Sequence, residues 1–144
     1  DIQTAGIGTH GRTWHTDEEN NIAFSVYFDL SKRNCKIDDL DGLTIQIAKR
    51  VVKVFKKIYD INLDIKFPND IYLNGRKLGG ILTETKLQNG LVRCVVIGIG
   101  SNTNQIKFAD EIKGIATSIK KEFKIDVDNS KVIVSITKKE EYLK

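Results

Sequence analysis

Two short stretches of this 144-residue chain carry side chains whose types and spacing suit chemistry on anions. The first, Gly6-Ile7-Gly8-Thr9-His10-Gly11-Arg12-Thr13-Trp14, contains G-x-G-x-x-G followed by an arginine. That spacing marks a dinucleotide loop only where a strand precedes it and a helix opens at its end, because the helix N-terminus receives the pyrophosphate. Here a largely polar run leads from Thr13 straight into a strand-like segment, so the dinucleotide reading falls. What survives is a glycine loop whose backbone amides can face an anion, with Arg12 beside it as a planar charged fork. Taken alone, the stretch is equally well a surface loop whose glycines turn corners.

The second stretch runs from Lys66-Phe67-Pro68-Asn69-Asp70 through Asn74-Gly75 to Arg76-Lys77-Leu78-Gly79-Gly80. Asn-Gly between strand-like runs is a strong hairpin signal. A two-residue turn there sets Leu73 opposite Arg76, Tyr72 opposite Lys77, Ile71 opposite Leu78 and Asp70 opposite Gly79. Alternation then places Ile71, Leu73 and Leu78 on one face, and Asp70, Tyr72, Lys77 and Gly79 on the other. The polar face sets a carboxylate diagonally from an ammonium, beside a glycine that lets a ligand approach the main chain. An exposed cross-strand ion pair explains Asp70 and Lys77 equally well on geometry alone.

These groups need elements to hold them. Residues 22–28 read as a strand. Residues 41–58 read as an amphipathic helix, with apolar positions at three- and four-residue steps and Asp41 as its cap. Residues 63–67 form a short strand ended by Pro68, and 71–73, 76–87 and 91–99 are three further strands parted by Asn74-Gly75 and Gln88-Asn89-Gly90. A polar loop runs to about Phe108. A short helix is expected over 115–123 and a second over 130–143, although Val132-Ile133-Val134 also suits a strand. The order predicts one α+β domain with a mainly antiparallel sheet packed with helices.

Composition narrows the classes. The chain carries a net charge of +4, with 40% hydrophobic and 29% charged residues, which suits a soluble domain with solvated lysine clusters, and no membrane span or secretory leader is expected from these residues. Cys35 and Cys94 form no metal-ligand cluster and read as free thiols of a cytoplasmic protein. Two histidines, His10 and His15, are too few for a metal site. Methionine is absent even at position 1, so the chain reads as a piece of a longer one.

With these residues in view, a resemblance can be stated. KFPNDIYLNGRKLGGILTET is similar to the signature K-W-P-N-D-x-x-x-x-x-x-K-L-x-G-I-L of the biotin–protein ligases, and QTAGIGTHGRTW resembles their loop Q-x-x-G-x-G-x-x-G-R-x-W. Gly98-Ile99-Gly100-Ser101-Asn102 resembles a third segment, G-x-G-x-N, in the same order. Phe67 stands where the signature has tryptophan, and Ile7 and Thr9 where many family loops carry further arginines.

The resemblance implies a catalytic domain of the biotin/lipoate ligase superfamily over residues 1–144, with a fold like that of class II aminoacyl-tRNA synthetases. The family's first strand and C-terminal β-barrel domain are not visible in the sequence. It implies activation of biotin by ATP to biotinyl-5'-AMP, and transfer of biotin to a lysine of an acidic biotin carboxyl carrier protein domain. Lys77, Arg12 and Asp70 would be catalytic. Gln3, Gly79, Gly80 and Lys77 would bind biotin. Gly6, Gly8, Gly11, Arg12, Trp14, Asn69 and Asn102 would hold ATP or the adenylate, with Trp14 closing the glycine loop over it. Asp70 would help position Mg2+. A homodimer is compatible with the family, and the absence of a DNA-binding segment removes support for nucleic-acid binding. A lipoate- or octanoate-transferring relative and a non-catalytic ligand-binding fragment are the alternatives.

Overall fold

The computed structural model describes residues 13–14 and 21–138. Six strands form one sheet: β1 (Thr13–Trp14), β2 (Ile22–Asp29), β3 (Asp64–Lys66), β4 (Asp70–Leu73), β5 (Arg76–Gln88) and β6 (Leu91–Ser101), in the order β1-β2-β6-β5-β4-β3. All neighbouring strand pairs are antiparallel. Among the described residues three α-helices accompany it, α1 (Leu43–Tyr59), α2 (Ile119–Phe123) and α3 (Asn129–Thr137), with a short 3-10 turn at Ile37–Leu40. The α+β expectation with a mainly antiparallel sheet holds. No described helix is long and apolar enough to cross a membrane, and Cys35 and Cys94 are free thiols.

The β4–β5 and β5–β6 hairpins each turn on an asparagine–glycine pair in left-handed conformation: Asn74 and Gly75 at φ 53° and 81°, Asn89 and Gly90 at φ 55° and 79°. Two consecutive positive φ values match the twist of the flanking strands, and Asn-Gly supplies them at low steric cost. In α1, Ile47, Ala48, Val51, Val54 and Phe55 are buried. This is the stripe that three- and four-residue spacing makes, and it covers the sheet face carrying Phe24, Ile81, Ile97 and Ile99. Asp41 does not cap this helix. The N-cap is Gly42, at φ 81°, a conformation glycine adopts without Cβ strain.

Toward the C-terminus, α2 starts at Ile119 rather than Ile115, with the Ser118 hydroxyl accepting from the Lys121 amide. Residues 132–134 are helical, not a strand, as part of α3. Arg50 of α1 fastens α3 by donating to the carbonyls of Ser135, Ile136 and Lys138. A cation placed at the carbonyl end of a helix complements its dipole, and α3 has no basic residue of its own in its last turn.

Candidate active site

Lys77 and Asp70 meet across the β4–β5 hairpin, with Nζ 3.3 Å from Oδ1. Their side chains are 51% and 36% exposed, so the pair contributes on the order of 0–1 kcal/mol to folding and leaves the ammonium open to a ligand. Tyr72 lies directly opposite Lys77, and the Lys66 ammonium sits 4.2 Å above its ring centroid. The aromatic ring thus holds a second cation near the first.

The register beyond Tyr72 departs from the regular hairpin. A bulge inserts Leu78, so that Ile71 faces Gly79 and Asp70 faces Gly80. Leu78 and Ile81, three apart on one strand, are both buried, at 1% and 2% exposure. Unbroken alternation would send one of them to solvent, and the extra residue returns both to the core. Gly79 therefore belongs with the core-facing positions. Gly80 takes the place beside Asp70 expected for Gly79, and the spacing of Leu78 and Ile81 was the sequence signal for it.

The bulge also opens the Lys77 backbone to a new partner. Its amide donates to the Ile115 carbonyl at 2.7 Å, and its carbonyl accepts from the Thr117 amide at 3.0 Å. This makes a parallel bridge between Lys77 and Ala116, so the chain expected to begin a helix at Ile115 ends a turn there and passes beside the lysine at Ala116. Asn102 binds both sides of the junction. Its amide nitrogen donates to the Leu78 carbonyl, and its Nδ2 to the Thr117 carbonyl at 3.1 Å. Glu122 of α2 accepts hydrogen bonds from the Thr117 hydroxyl and the Asn74 amide and lies 3.6 Å from Arg76. Those hydrogen bonds, and secondarily the Arg76 charge, hold its carboxyl below the ordinary value of 4.5.

Around these residues lies a cleft of about 750 Å³, walled by Tyr72, Lys77, Gly79, Gly80, Ser101 and Asn102 together with Ile112 and Ile115. It adjoins a second hollow of about 430 Å³ that shares Lys77, Gly80 and Gly100 and adds Asn69 and Asp70. Six predicted residues from two segments (Asn69, Asp70, Lys77, Gly79, Gly80 and Asn102) thus line these two adjoining hollows. The size suits a small ligand. Gln3, Gly6, Gly8, Gly11 and Arg12 lie outside the described residues, and of Trp14 only the strand pairing with Phe24 is described. Sequence reading missed Glu122, Ser101, Ile112 and Ile115, whose roles arise from chain segments far from the hairpin.

Comparison with known proteins agrees with this geometry. Residues 1–102 match the model of the Biotin/lipoate A/B protein ligase family. The bifunctional ligase/repressor BirA of Bacillus spizizenii is 41% identical over 138 residues, covering 94% of this chain; the chain spans only 42% of that relative's length. The apo biotin protein ligase of Aquifex aeolicus superposes with a TM-score of 0.72 at 27% identity, over 89% of this chain and 54% of the other. The same ligase in complex with biotin and ATP gives a TM-score of 0.67 at 27% identity, over 82% and 47%. The sheet, the Lys77 hairpin and the match over residues 1–102 lead to one conclusion: the chain belongs to the biotin/lipoate A/B protein ligase family.

Proposed function

We propose that this chain forms the adenylation site of a biotin–protein ligase, which activates biotin with ATP to biotinyl-5'-AMP and passes the biotinyl group to a lysine of a biotin carboxyl carrier protein domain. One observation carries the reading: Lys77, half exposed and 3.3 Å from Asp70, stands at the wall shared by two adjoining hollows. Similarity to a ligase solved with biotin and ATP supports the choice of ligands.

In the first step the biotin carboxylate oxygen attacks the α-phosphorus, and the bond to pyrophosphate breaks. Two anions must approach, so a cation is needed where negative charge gathers. The Lys77 ammonium supplies it at the α-phosphate, and Arg12 grips the phosphates through its fork. In the second step an uncharged lysine amine of the carrier attacks the acyl carbonyl, AMP leaves, and the amine loses a proton.

Among the described residues no three His, Cys, Asp or Glu side chains gather to hold a metal. Asp70 with Asn69 is a donor set that fits Mg2+ arriving on ATP, since that ion keeps most of its waters and takes one or two carboxylates. The ion would neutralise phosphate charge.

The test is pyrophosphate release by the intact protein with Mg2+ and ATP, comparing biotin, lipoate and no acid. Release with biotin alone is expected. Release with lipoate instead, or none with either acid, would overturn the reading.

A further inference from the structure

In a two-residue hairpin the pair beside the turn exchanges hydrogen bonds and the next pair does not. Lys77, opposite Tyr72, is in that next pair, so its amide and carbonyl face away from β4, and β6 ends short of it, opposite Gly79. Both groups bond instead to Ile115 and Thr117. That segment is not a strand of the sheet: residues 110–115 are a run of turns and the contact with Lys77 is an isolated bridge. Side chains must therefore place it. Thr117, fully buried, accepts from Asn102 Nδ2 at its carbonyl and donates its hydroxyl to Glu122 Oε2 at 2.5 Å. The other Glu122 oxygen accepts from Asn74 Nδ2 at 3.0 Å, and Arg76 stands 3.6 Å from Oε2. One carboxylate thus joins the segment behind Lys77 to the turn in front of it.

We infer that Glu122 is a positioning residue for adenylation, setting the Lys77 ammonium at the cleft wall by holding Thr117 and the hairpin turn on either side of that lysine. The inference rests on the adenylation reading of the site. Glu122 lines neither hollow, so it acts through the lysine and not on the ligand. A lysine carries its charge on a flexible four-carbon stem, and the place of that charge depends on the backbone beneath it as well as on the contact with Asp70. Anchoring of α2 does not require Glu122, because Ile119 is fully buried and the Ile119 and Lys120 amides donate to the carbonyls of Asn102 and Thr103. A carboxylate shielded to 15% exposure and shared between two elements is instead suited to fixing their separation, since its two oxygens accept from donors on both.

The experiment measures steady-state pyrophosphate release by the intact protein with biotin, ATP and Mg2+, well below the melting temperature of each variant. Glu122→Ala is expected to lower kcat roughly tenfold to hundredfold, as a small misplacement of a reacting group does, with KM little changed. Thr117→Val cuts the link to Glu122 and nearly keeps the side-chain shape, so it reads the same loss of kcat even if alanine at 122 disturbs the fold. Glu122→Gln can offer its oxygen to Asn74 and its NH2 to a turned Thr117 hydroxyl, and is expected to stay within about threefold of the parent. In a Lys77→Ala background Glu122→Ala is expected to add no further loss, because the two act as one unit. Parent-like kcat in folded Glu122→Ala and Thr117→Val, a glutamine variant as slow as the alanine, or an undiminished loss in the double variant overturns the inference and leaves the proposed function standing. A parent that releases pyrophosphate with lipoate and not biotin overturns the biotin reading alone, and the variants are then read with lipoate. A parent inert with both acids overturns both.

Discussion

A Cβ atom added to Gly79 would lie 2.1 Å from the carbonyl oxygen of Gly100 and 2.8 Å from the Cα of Ser101. The close approach is between two main chains, β5 and β6, so no side-chain rotation relieves it. At Gly80 the same atom meets the Asn69 carbonyl at 3.2 Å and an Asp70 carboxylate oxygen at 3.5 Å.

These neighbouring glycines should respond differently to alanine. Gly79→Ala is expected to cost about 2–4 kcal/mol, as overpacking against backbone does, lowering Tm by on the order of 10 °C. Gly80→Ala should cost less than about 1 kcal/mol while slowing pyrophosphate release, since the methyl crowds Asp70. Thermal melts and turnover on both variants check this. Equal melting of the two would mean that β5 and β6 part easily at Gly79.

Lys77→Ala should leave the fold intact, because an ion pair this exposed contributes at most about 1 kcal/mol. Pyrophosphate release should fall by roughly 10²–10³-fold or more, the usual effect of removing a preorganised charge-stabilising donor. A variant turning over near the parent rate would reduce Lys77 to a surface partner of Asp70.

Glu122 links α2 to the hairpin tip, and its depressed pKa makes that link pH-dependent. A carboxyl held below its unfolded value of 4.5 contributes stability above that pH and loses it as pH falls through the lower folded value. Glu122→Gln keeps the shape and removes the charge. It should cost about 1 kcal/mol at pH 7 and flatten the fall in stability below pH 4.5. Urea unfolding of parent and variant at pH 7 and pH 3 would reveal it. A stability difference of the same size at both pH values would show that the charge plays no part.

In the glycine loop, Thr9→Arg should slow the escape of preformed biotinyl-adenylate, because an added guanidinium can pair with its phosphate. The dissociation rate of the adenylate is the measurement. Identical rates in parent and variant would separate position 9 from the phosphate.

Local pattern alone carried much of this protein. The stripe of Ile47, Val51, Val54 and Phe55 specified α1 because periodicity of burial is a property of neighbouring residues. Asn74-Gly75 and Asn89-Gly90 specified the β4–β5 and β5–β6 hairpins because few other residue pairs take two positive φ values in succession. The same nearness made Asp70 and Lys77 legible as partners across a turn.

Tertiary structure decided what depends on residues far apart in the chain. The bulge at Leu78 answers a demand of the core, that Leu78 and Ile81 both be buried, and it exchanges the places of Gly79 and Gly80. Residues 115–118 leave helical conformation because Lys77, nearly forty positions earlier, offers them a backbone amide and carbonyl. Asn74 and Glu122 stand 48 residues apart and meet at the hairpin tip, and Arg50 reaches 86 residues forward to the end of α3. Sequence periodicity reports which face of an element is apolar. Which elements share that face, and which polar groups are stranded or joined when they do, follows only from the packing.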